Sequence, residues 1–272
     1  MKTVLLYSML SICLLFTQCT FKTDNGGDHI VDEDQKIIDD YIKLYNDNSS
    51  VGNSFLGDNL SYDKIIISDD TIMNYTTINF EEPIDLKEFK EHLNSEKKYD
   101  LIGSFLFAST RRNLDYTKAI INKRYNYFTR IHVYPNDQIV KFGYNSDEYS
   151  DIFFYTENHR ESAVKEYLNY WVKSQNKNTP IDIDEYTTFM GLSLNNKEFI
   201  CKYKIKTNRD YTTLKQLKDN LKEETCINLR QPSGNIEFAD ILKKCNDYSI
   251  KFIYYNPDKS DSFSFDIYSF DI

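Results

Sequence analysis

Two patterns of apolar residues alternate along this chain and predict its elements. Over residues 37–45, apolar side chains recur every three or four positions, which predicts a helix with one buried face. Over residues 199–205, apolar side chains alternate with lysines, which predicts a strand with one face in the core. Taken along the chain, these patterns predict a helix, a hairpin, two helices and a hairpin, and then the same order again.

Each half has its own set of predicted elements. The first half contains a helix from residue 37, strands 64–68 and 71–80, helices 85–101 and 113–123, and strands 127–134 and 138–144. The second half contains helix 159–175, strands 186–194 and 198–207, helices 213–229 and 235–245, and strands 249–255 and 262–270. Asp69-Asp70 and Asn195-Asn196 are predicted to form the first turn of each half, because these residue types tolerate positive φ.

The repeated order corresponds to repeated sequence. Residues 213–229 align with residues 85–101 without a gap, and both segments keep Leu, Lys, Lys, Leu, Glu and Leu at the same positions. Matches on either side follow in the same order: Tyr41 with Tyr167, Tyr45 with Trp171, Asn113 with Asn235, and Pro135 with Pro257. This agreement predicts an internal tandem duplication.

The fold class follows from the connections. Four strands joined only by hairpins and helices predict an antiparallel four-stranded sheet with helices on one face, which is a two-layer α+β module. We expect a first module over residues 34–150 and a second over residues 151–272. Chains of this length bury cores large enough for two such modules.

The N-terminus has the pattern of an export signal. Lys2 precedes an uncharged apolar run over residues 4–16, which is shorter than the about 20 residues that a membrane span needs. Cys19 follows directly, so residues 1–18 and Cys19 resemble the signal and lipobox of bacterial lipoproteins. That resemblance implies that Cys19 carries the lipid. Gln18 departs from the family pattern, which has Gly, Ala or Ser there, and the alternative is an ordinary secreted protein with Cys19 as a thiol.

Composition and charge suggest an envelope protein without a nucleic-acid partner. Residues 19–33 are polar, acidic and contain a glycine pair, as in a flexible tether. The formal net charge is −9, and basic residues do not cluster beyond Arg111-Arg112. Such a chain is a poor binder of nucleic acid or anionic lipid surfaces. We therefore expect membrane attachment through the N-terminal lipid alone, in the bacterial cell envelope, facing the periplasm or the cell surface.

Three cysteines lie in the second half. In an oxidising compartment, Cys226 and Cys245 are a candidate disulfide that would join neighbouring helices. Cys226 lies off the apolar stripe of its helix, so this pairing requires the helix to turn or end near Cys226. The alternative is that both residues remain thiols. Cys201 fits a buried small apolar position.

Catalytic and metal-binding patterns are missing from the sequence. The acidic group Asp182, Asp184 and Glu185 lacks the spacing of a calcium loop and fits solvated turn residues ahead of a strand. No Cys–His pair has the spacing of a nucleophile or zinc site, and His92 and His132 fit structural or surface positions better than that of a catalytic base. We expect no catalytic residues, no metal and no cofactor.

A resemblance covers the second half. Pro180 and Asp182 precede the first hairpin, Cys226 lies in the following helix, and the aromatic residues 252–255 lie in the closing hairpin. In these features residues 179–271 resemble a domain of small exported bacterial proteins and lipoproteins that has no assigned activity. The chain departs from that pattern by lacking a final cysteine. The resemblance implies an exported domain and transfers no catalytic residue.

These observations favour a lipid-anchored envelope protein with a non-catalytic binding or structural role. Twenty-two tyrosines suggest an aromatic sheet face as the surface that binds an envelope protein partner, although aromatic residues are also common strand formers. One alternative is an envelope hydrolase that uses the acidic residues 182–185. Another is an immunity or inhibitor lipoprotein, which no residue selects.

We predict that replacing Cys19 by Ala abolishes lipidation, because the thiol is the atom that is acylated. The wild-type protein should partition into detergent and show an acylated N-terminal peptide by mass spectrometry, whereas Cys19→Ala should be soluble. Cys13→Ala, within the apolar run, is the matched control and should stay lipidated. Membrane-bound Cys19→Ala protein with an unchanged N-terminal mass would contradict the assignment.

Overall fold

The computed structural model describes residues 32–52, 60–107, 111–206, 210–230, 236–258 and 261–272. The predicted signal peptide, Cys19 and nearly all of the predicted tether lie outside these residues. The chain forms two compact units, and the boundary between them lies between Ala163 and Val164. Both units combine helices with an open sheet, which confirms the α+β class.

The first unit contains four helices and four strands within the described residues. In chain order these are α1 (Glu33–Gly52), β1 (Leu60–Ser68), β2 (Thr71–Asn79), α2 (Leu86–Phe107), α3 (Arg111–Asn122), β3 (Asn126–Tyr134), β4 (Gln138–Tyr144) and α4 (Ser146–Asn158). The side-chain carboxylate of Asp85 accepts hydrogen bonds from the backbone N–H groups of Lys87 and Glu88 and so caps the start of α2.

The second unit repeats this arrangement with small differences. Its elements are α5 (Arg160–Gln175), β5 (Ile181–Asp182), β6 (Thr187–Asn195), β7 (Glu198–Ile205), α6 (Tyr211–Gln216), α7 (Lys218–Arg230), α8 (Ile236–Lys244), β8 (Ser249–Asn256), β9 (Asp261–Tyr268) and a 3-10 turn (Ser269–Asp271). The helix predicted over residues 213–229 is divided at Leu217, whose side chain is 45% exposed.

The prediction that each sheet is entirely antiparallel is wrong. The strand order is β1-β2-β3-β4 in the first unit and β5-β6-β7-β8-β9 in the second, and the central pairs β2–β3 and β7–β8 are parallel. In the first unit, α2 alone is about 33 Å long, which exceeds the about 30 Å of a nine-residue strand. Because β2 and β3 run in the same direction, the connection that contains α2 and α3 returns the chain to the end of the sheet at which β2 begins, and α3 packs on α1.

The two sheets share irregularities as well as strand order. The first strand of each hairpin has a bulge at the same place, between Tyr62 and Lys64 in one unit and between Phe189 and Gly191 in the other. These pairings place each residue of the first hairpin 127 positions before its equivalent in the second, so that Ile65 corresponds to Leu192. A shared strand order is what an internal duplication predicts.

Each unit also has an asparagine that joins its first helix to its sheet. Asn46, in α1, donates to the carbonyl of Ile65 at 2.9 Å and accepts from the N–H of Ile65 at 2.7 Å. Asn176, which follows α5, makes the same pair of hydrogen bonds with Leu192, at 2.6 and 2.8 Å. One side chain thereby satisfies both backbone groups of a buried strand residue.

One face of the first sheet forms the core. Two apolar clusters lie between this face and the helices, one around Ile72, Phe105 and Tyr149 and the other around Phe89 and Ile131. The sequence pattern predicts no element over residues 146–158, yet α4 contributes Tyr149 and Phe153 to the first cluster. The opposite face of the sheet therefore remains available to solvent.

We predict that Asn46→Ala and Asn176→Ala each lower the free energy of unfolding by about 1–3 kcal/mol, because each leaves a buried backbone N–H and C=O without its partner. Chemical denaturation measures the change. Asn94→Ala is the control, since Asn94 is exposed on α2 and alanine favours a helix. Equal stability of Asn46→Ala and Asn94→Ala would show that the two hydrogen bonds contribute nothing.

Candidate functional site

A row of charged and aromatic residues crosses the solvent face of the first sheet. Lys64 pairs with Tyr75, Tyr75 with Arg130, and Arg130 with Lys141, so these four residues lie side by side on β1, β2, β3 and β4. We call them the cation row. Lys64 and Lys141 are exposed, and Tyr75 and Arg130 are half-buried. The row thus presents three positive charges on a protein with a formal net charge of −9.

The three cations of the row each lie close to an aromatic ring. The Lys64 ammonium lies 5.3 Å from the centre of the Tyr75 ring, and the Arg130 guanidinium carbon lies 5.5 Å from the same ring. The Lys141 ammonium lies 4.1 Å from the ring centre of Phe128. Such contacts stabilise a cation by electrostatic attraction to the ring face, while leaving its charge uncompensated.

The cation row lacks carboxylate partners. Within the part of the chain that the structure describes, Lys64, Arg130 and Lys141 form no ion pair with Asp or Glu. Arg130 and Lys141 also lie directly opposite each other on neighbouring strands, where like charges destabilise a sheet. A bound anionic group would relieve this repulsion, so the row is a candidate binding surface for carboxylate or phosphate groups.

Apolar side chains extend the same face beyond the row. Ile139 pairs with His132, and both lie two residues from the row on β4 and β3. Ile139 is 54% exposed and Tyr134, at the end of β3, is 41% exposed. The His132 Nε2 atom lies 2.8 Å from a carboxylate oxygen of Asp137, which accepts the hydrogen bond, and the His132 ring packs against Tyr134. The surface therefore combines cations with aromatic and aliphatic groups.

The second unit does not repeat the row. The residues equivalent to Lys64, Tyr75, Arg130 and Lys141 are Gly191, Lys202, Ile253 and Ser264, which lie in the same register. Only one of these four is charged. Since both units have the same strand order and bulge, the fold does not require the row.

The aromatic residues of the second sheet mostly pack inward. Phe189, Tyr203, Tyr254 and Phe263 form a ladder across β6, β7, β8 and β9, with ring centres 5.3, 4.8 and 5.0 Å apart. The first three are half-buried and Phe263 is buried. Burial raises the pKa of Tyr203, and it raises that of Tyr254 to about 12. This ladder therefore belongs largely to the core and does not form the accessible aromatic face that the tyrosine excess suggests. The accessible sheet face described above, which combines aromatic residues with cations, is in the first unit.

The acidic residues 182–185 do not form a buried carboxylate pair. Asp182, Asp184 and Glu185 are exposed. Thr188 donates a 2.7 Å hydrogen bond to Asp182, and Lys206 lies 3.1 Å from it. These two contacts lower the pKa of Asp182, which is opposite to the direction that a general acid requires. Asp182 lies in the short strand β5, and Asp184 and Glu185 lie in the solvated bend between β5 and β6.

Cys201, Cys226 and Cys245 are present as thiols. Cys201 and Cys226 are buried, and Cys245 is half-buried at the end of α8. Burial raises the pKa of Cys201 to about 12 and also raises that of Cys226. A disulfide between Cys226 and Cys245 in the oxidised protein remains a prediction. No group of three or more His, Cys, Asp or Glu residues in the described ranges is placed to hold a metal ion.

Comparison with known proteins gives little further information. No protein-family model matches the chain. No curated protein is significantly similar to it. Among solved structures, the chain is similar to a Pseudomonas aeruginosa protein proposed to be secreted, with 11% identity and a TM-score of 0.32 over 41% of this chain and 95% of the other. A TM-score this low does not establish a shared fold. None of the described helices is long and apolar enough to cross a bilayer.

We predict that thiol-reactive reagents label Cys245 first and Cys201 only on unfolding. A pKa of about 12 leaves about one in ten thousand Cys201 side chains as the reactive thiolate at pH 8, and burial restricts access further. Peptide mapping after timed alkylation measures each site. In oxidised protein, a Cys226–Cys245 disulfide would protect both residues until reductant is added. Labelling of Cys201 in the folded protein at the rate of Cys245 would contradict its burial.

Proposed function

We propose that this chain is a lipid-anchored protein of the bacterial cell envelope with a non-catalytic binding role. Its binding surface is the solvent face of the first sheet, and its ligand is an acidic segment of an envelope protein. The cation row supports this proposal most directly, because it holds three cations without carboxylate partners among the described residues.

The composition of this face favours a protein ligand. Arg and Tyr are enriched in protein–protein interfaces, and a binding centre also needs apolar side chains that lose water on contact. Arg130 and Tyr75 supply the first kind, and the exposed Ile139 and Tyr134 supply the second. Carboxylates on the partner would meet the cations, which would steer association and fix the register of the complex.

The N-terminal sequence supports the anchored location. Residues 19–33 reach at most about 50 Å when fully extended. A lipid on Cys19 and an acidic tether of this reach would hold the folded units clear of the headgroups while keeping them at the membrane. The overall negative charge agrees with attachment by the lipid rather than by contact with anionic lipid surfaces.

The hydrolase alternative has no supporting geometry. Its acidic residues are exposed, and the pKa of Asp182 is shifted downwards. An immunity or inhibitor role is supported by no separate observation. A binding role remains the function that the geometry of the described residues supports best.

We predict that Arg130→Glu and Lys141→Glu weaken capture of the partner by about tenfold or more, because each replaces an attractive charge by a repulsive one. Residues 24–272 serve as bait for envelope extract, and quantitative mass spectrometry reports the captured proteins. Wild-type capture should also decline as salt is raised from low to physiological concentration and above, because exposed charge pairs are screened.

Lys202→Glu is the matched control, since Lys202 is exposed at the equivalent position in the second unit and carries the same charge change. The proposal requires a partner that is lost with Arg130→Glu and Lys141→Glu and retained with Lys202→Glu. Loss with all three variants would indicate a nonspecific charge effect. Retention with all three would exclude the cation row as the binding surface.

A further inference from the structure

A second candidate site lies inside the first unit, on the opposite side of the sheet. A cavity of about 50 Å³ is lined by residues of α1, α2, α3, α4 and the core face of the sheet. Five tyrosines line it, namely Tyr41, Tyr45, Tyr116, Tyr127 and Tyr149. Ser104, Asn113 and Leu114, on another part of the wall, are half-buried, so solvent reaches that side.

Two residues of the wall, Asn74 and Tyr116, each have a buried polar side-chain atom without a hydrogen-bond partner among the residues that the structure describes. Asn74 is 3% exposed and its side-chain carbonyl oxygen accepts no hydrogen bond. Tyr116 is 6% exposed and its hydroxyl is likewise unpartnered. Burying polar atoms without partners opposes folding, and most such atoms in native proteins are satisfied by another group or by water. Both atoms lie in residues that line the same cavity.

The second unit shows that the fold does not need these polar groups. Cys201 corresponds to Asn74 through the hairpin register, and Phe238 corresponds to Tyr116 through the aligned helices. Trp171 and Ala239 take the places of Tyr45 and Thr117. Trp171 and Phe238 pack edge to face at 4.6 Å, so apolar rings form the equivalent part of the core.

The wall chemistry restricts the ligand. None of the residues that line the cavity is charged, so a buried ion would lack a counter-charge. The Asn74 oxygen only accepts, whereas the Tyr116 hydroxyl both donates and accepts. Burial raises the pKa of Tyr116 well above its usual value, which keeps the hydroxyl protonated. A ligand hydroxyl supplies the donor that the Asn74 oxygen lacks, and it is also a suitable hydrogen-bond partner for the Tyr116 hydroxyl.

We infer that this cavity binds a small neutral molecule, or the small neutral end of a larger one, through a hydroxyl group. The cavity volume admits a group of few non-hydrogen atoms, well below the several hundred cubic ångströms of a drug-sized pocket. Water has the same hydrogen-bonding chemistry, and the test below separates the two. This site is independent of the cation row, because it lies on the other face of β2.

Ethanediol and methanol are suitable probes, and ligand-observed saturation-transfer NMR on the full chain detects their binding. Wild-type protein should show saturable binding of at least one probe. Tyr116→Phe and Asn74→Cys should each weaken it by about tenfold, because each removes one hydrogen-bonding atom. Both substitutions introduce the residue that the second unit has at that position, and circular dichroism verifies the fold of each variant.

Tyr211→Phe is the matched control. The Tyr211 hydroxyl is also buried and unpartnered, but it lies in the second unit and does not line the cavity. Saturable binding that is weakened by Tyr116→Phe and retained by Tyr211→Phe supports the inference. Absence of saturable binding, or binding unaffected by Tyr116→Phe, overturns it and identifies the cavity as a site for water alone.

Discussion

Parallel pairing of β2 with β3 is the contact on which the first unit depends. It joins nine residue pairs of two strands that are separated in the chain by residues 80–125. This long loop must close before any of those contacts can form. The pairing directs α2 and α3 over one face of the sheet and leaves the other face to solvent. Each side chain of β2 is thereby assigned to the core or to the surface.

The two candidate sites follow from that assignment. Asn74 and Tyr75 are neighbours on β2, and successive side chains of a strand point to opposite faces. Asn74 lines the cavity beneath the helices, whereas Tyr75 lies between two cations on the solvent face. One strand therefore contributes to a neutral cavity under the helices and to a charged surface on the solvent face. A shift of the register by one residue would exchange the two faces and destroy both.

Comparison of the two similar units separates the features that maintain the fold from those that are added to it. The strand order, the bulge and the asparagine that joins helix to sheet occur in both units, as expected of features that hold the architecture together. The cation row and the polar cavity wall occur in the first unit, and uncharged or apolar residues hold most of the equivalent positions in the second. Uncompensated charge and unpartnered polar atoms oppose folding, so their presence in one copy suggests a role other than stability.

Local patterns in the sequence determined the class and most elements of this protein. The helical and alternating spacings predicted the hairpins and the principal helices, and the repeated segments predicted two similar halves. The tertiary structure alone decided the parallel central pair, because the direction of β3 depends on the path of the whole connection that contains α2 and α3 and not on the residues of the strands. It also decided α4 and the division at Leu217, which arise from packing against distant residues. Lys64, Tyr75, Arg130 and Lys141 carry no motif in sequence, since only long-range strand pairing places them in one row.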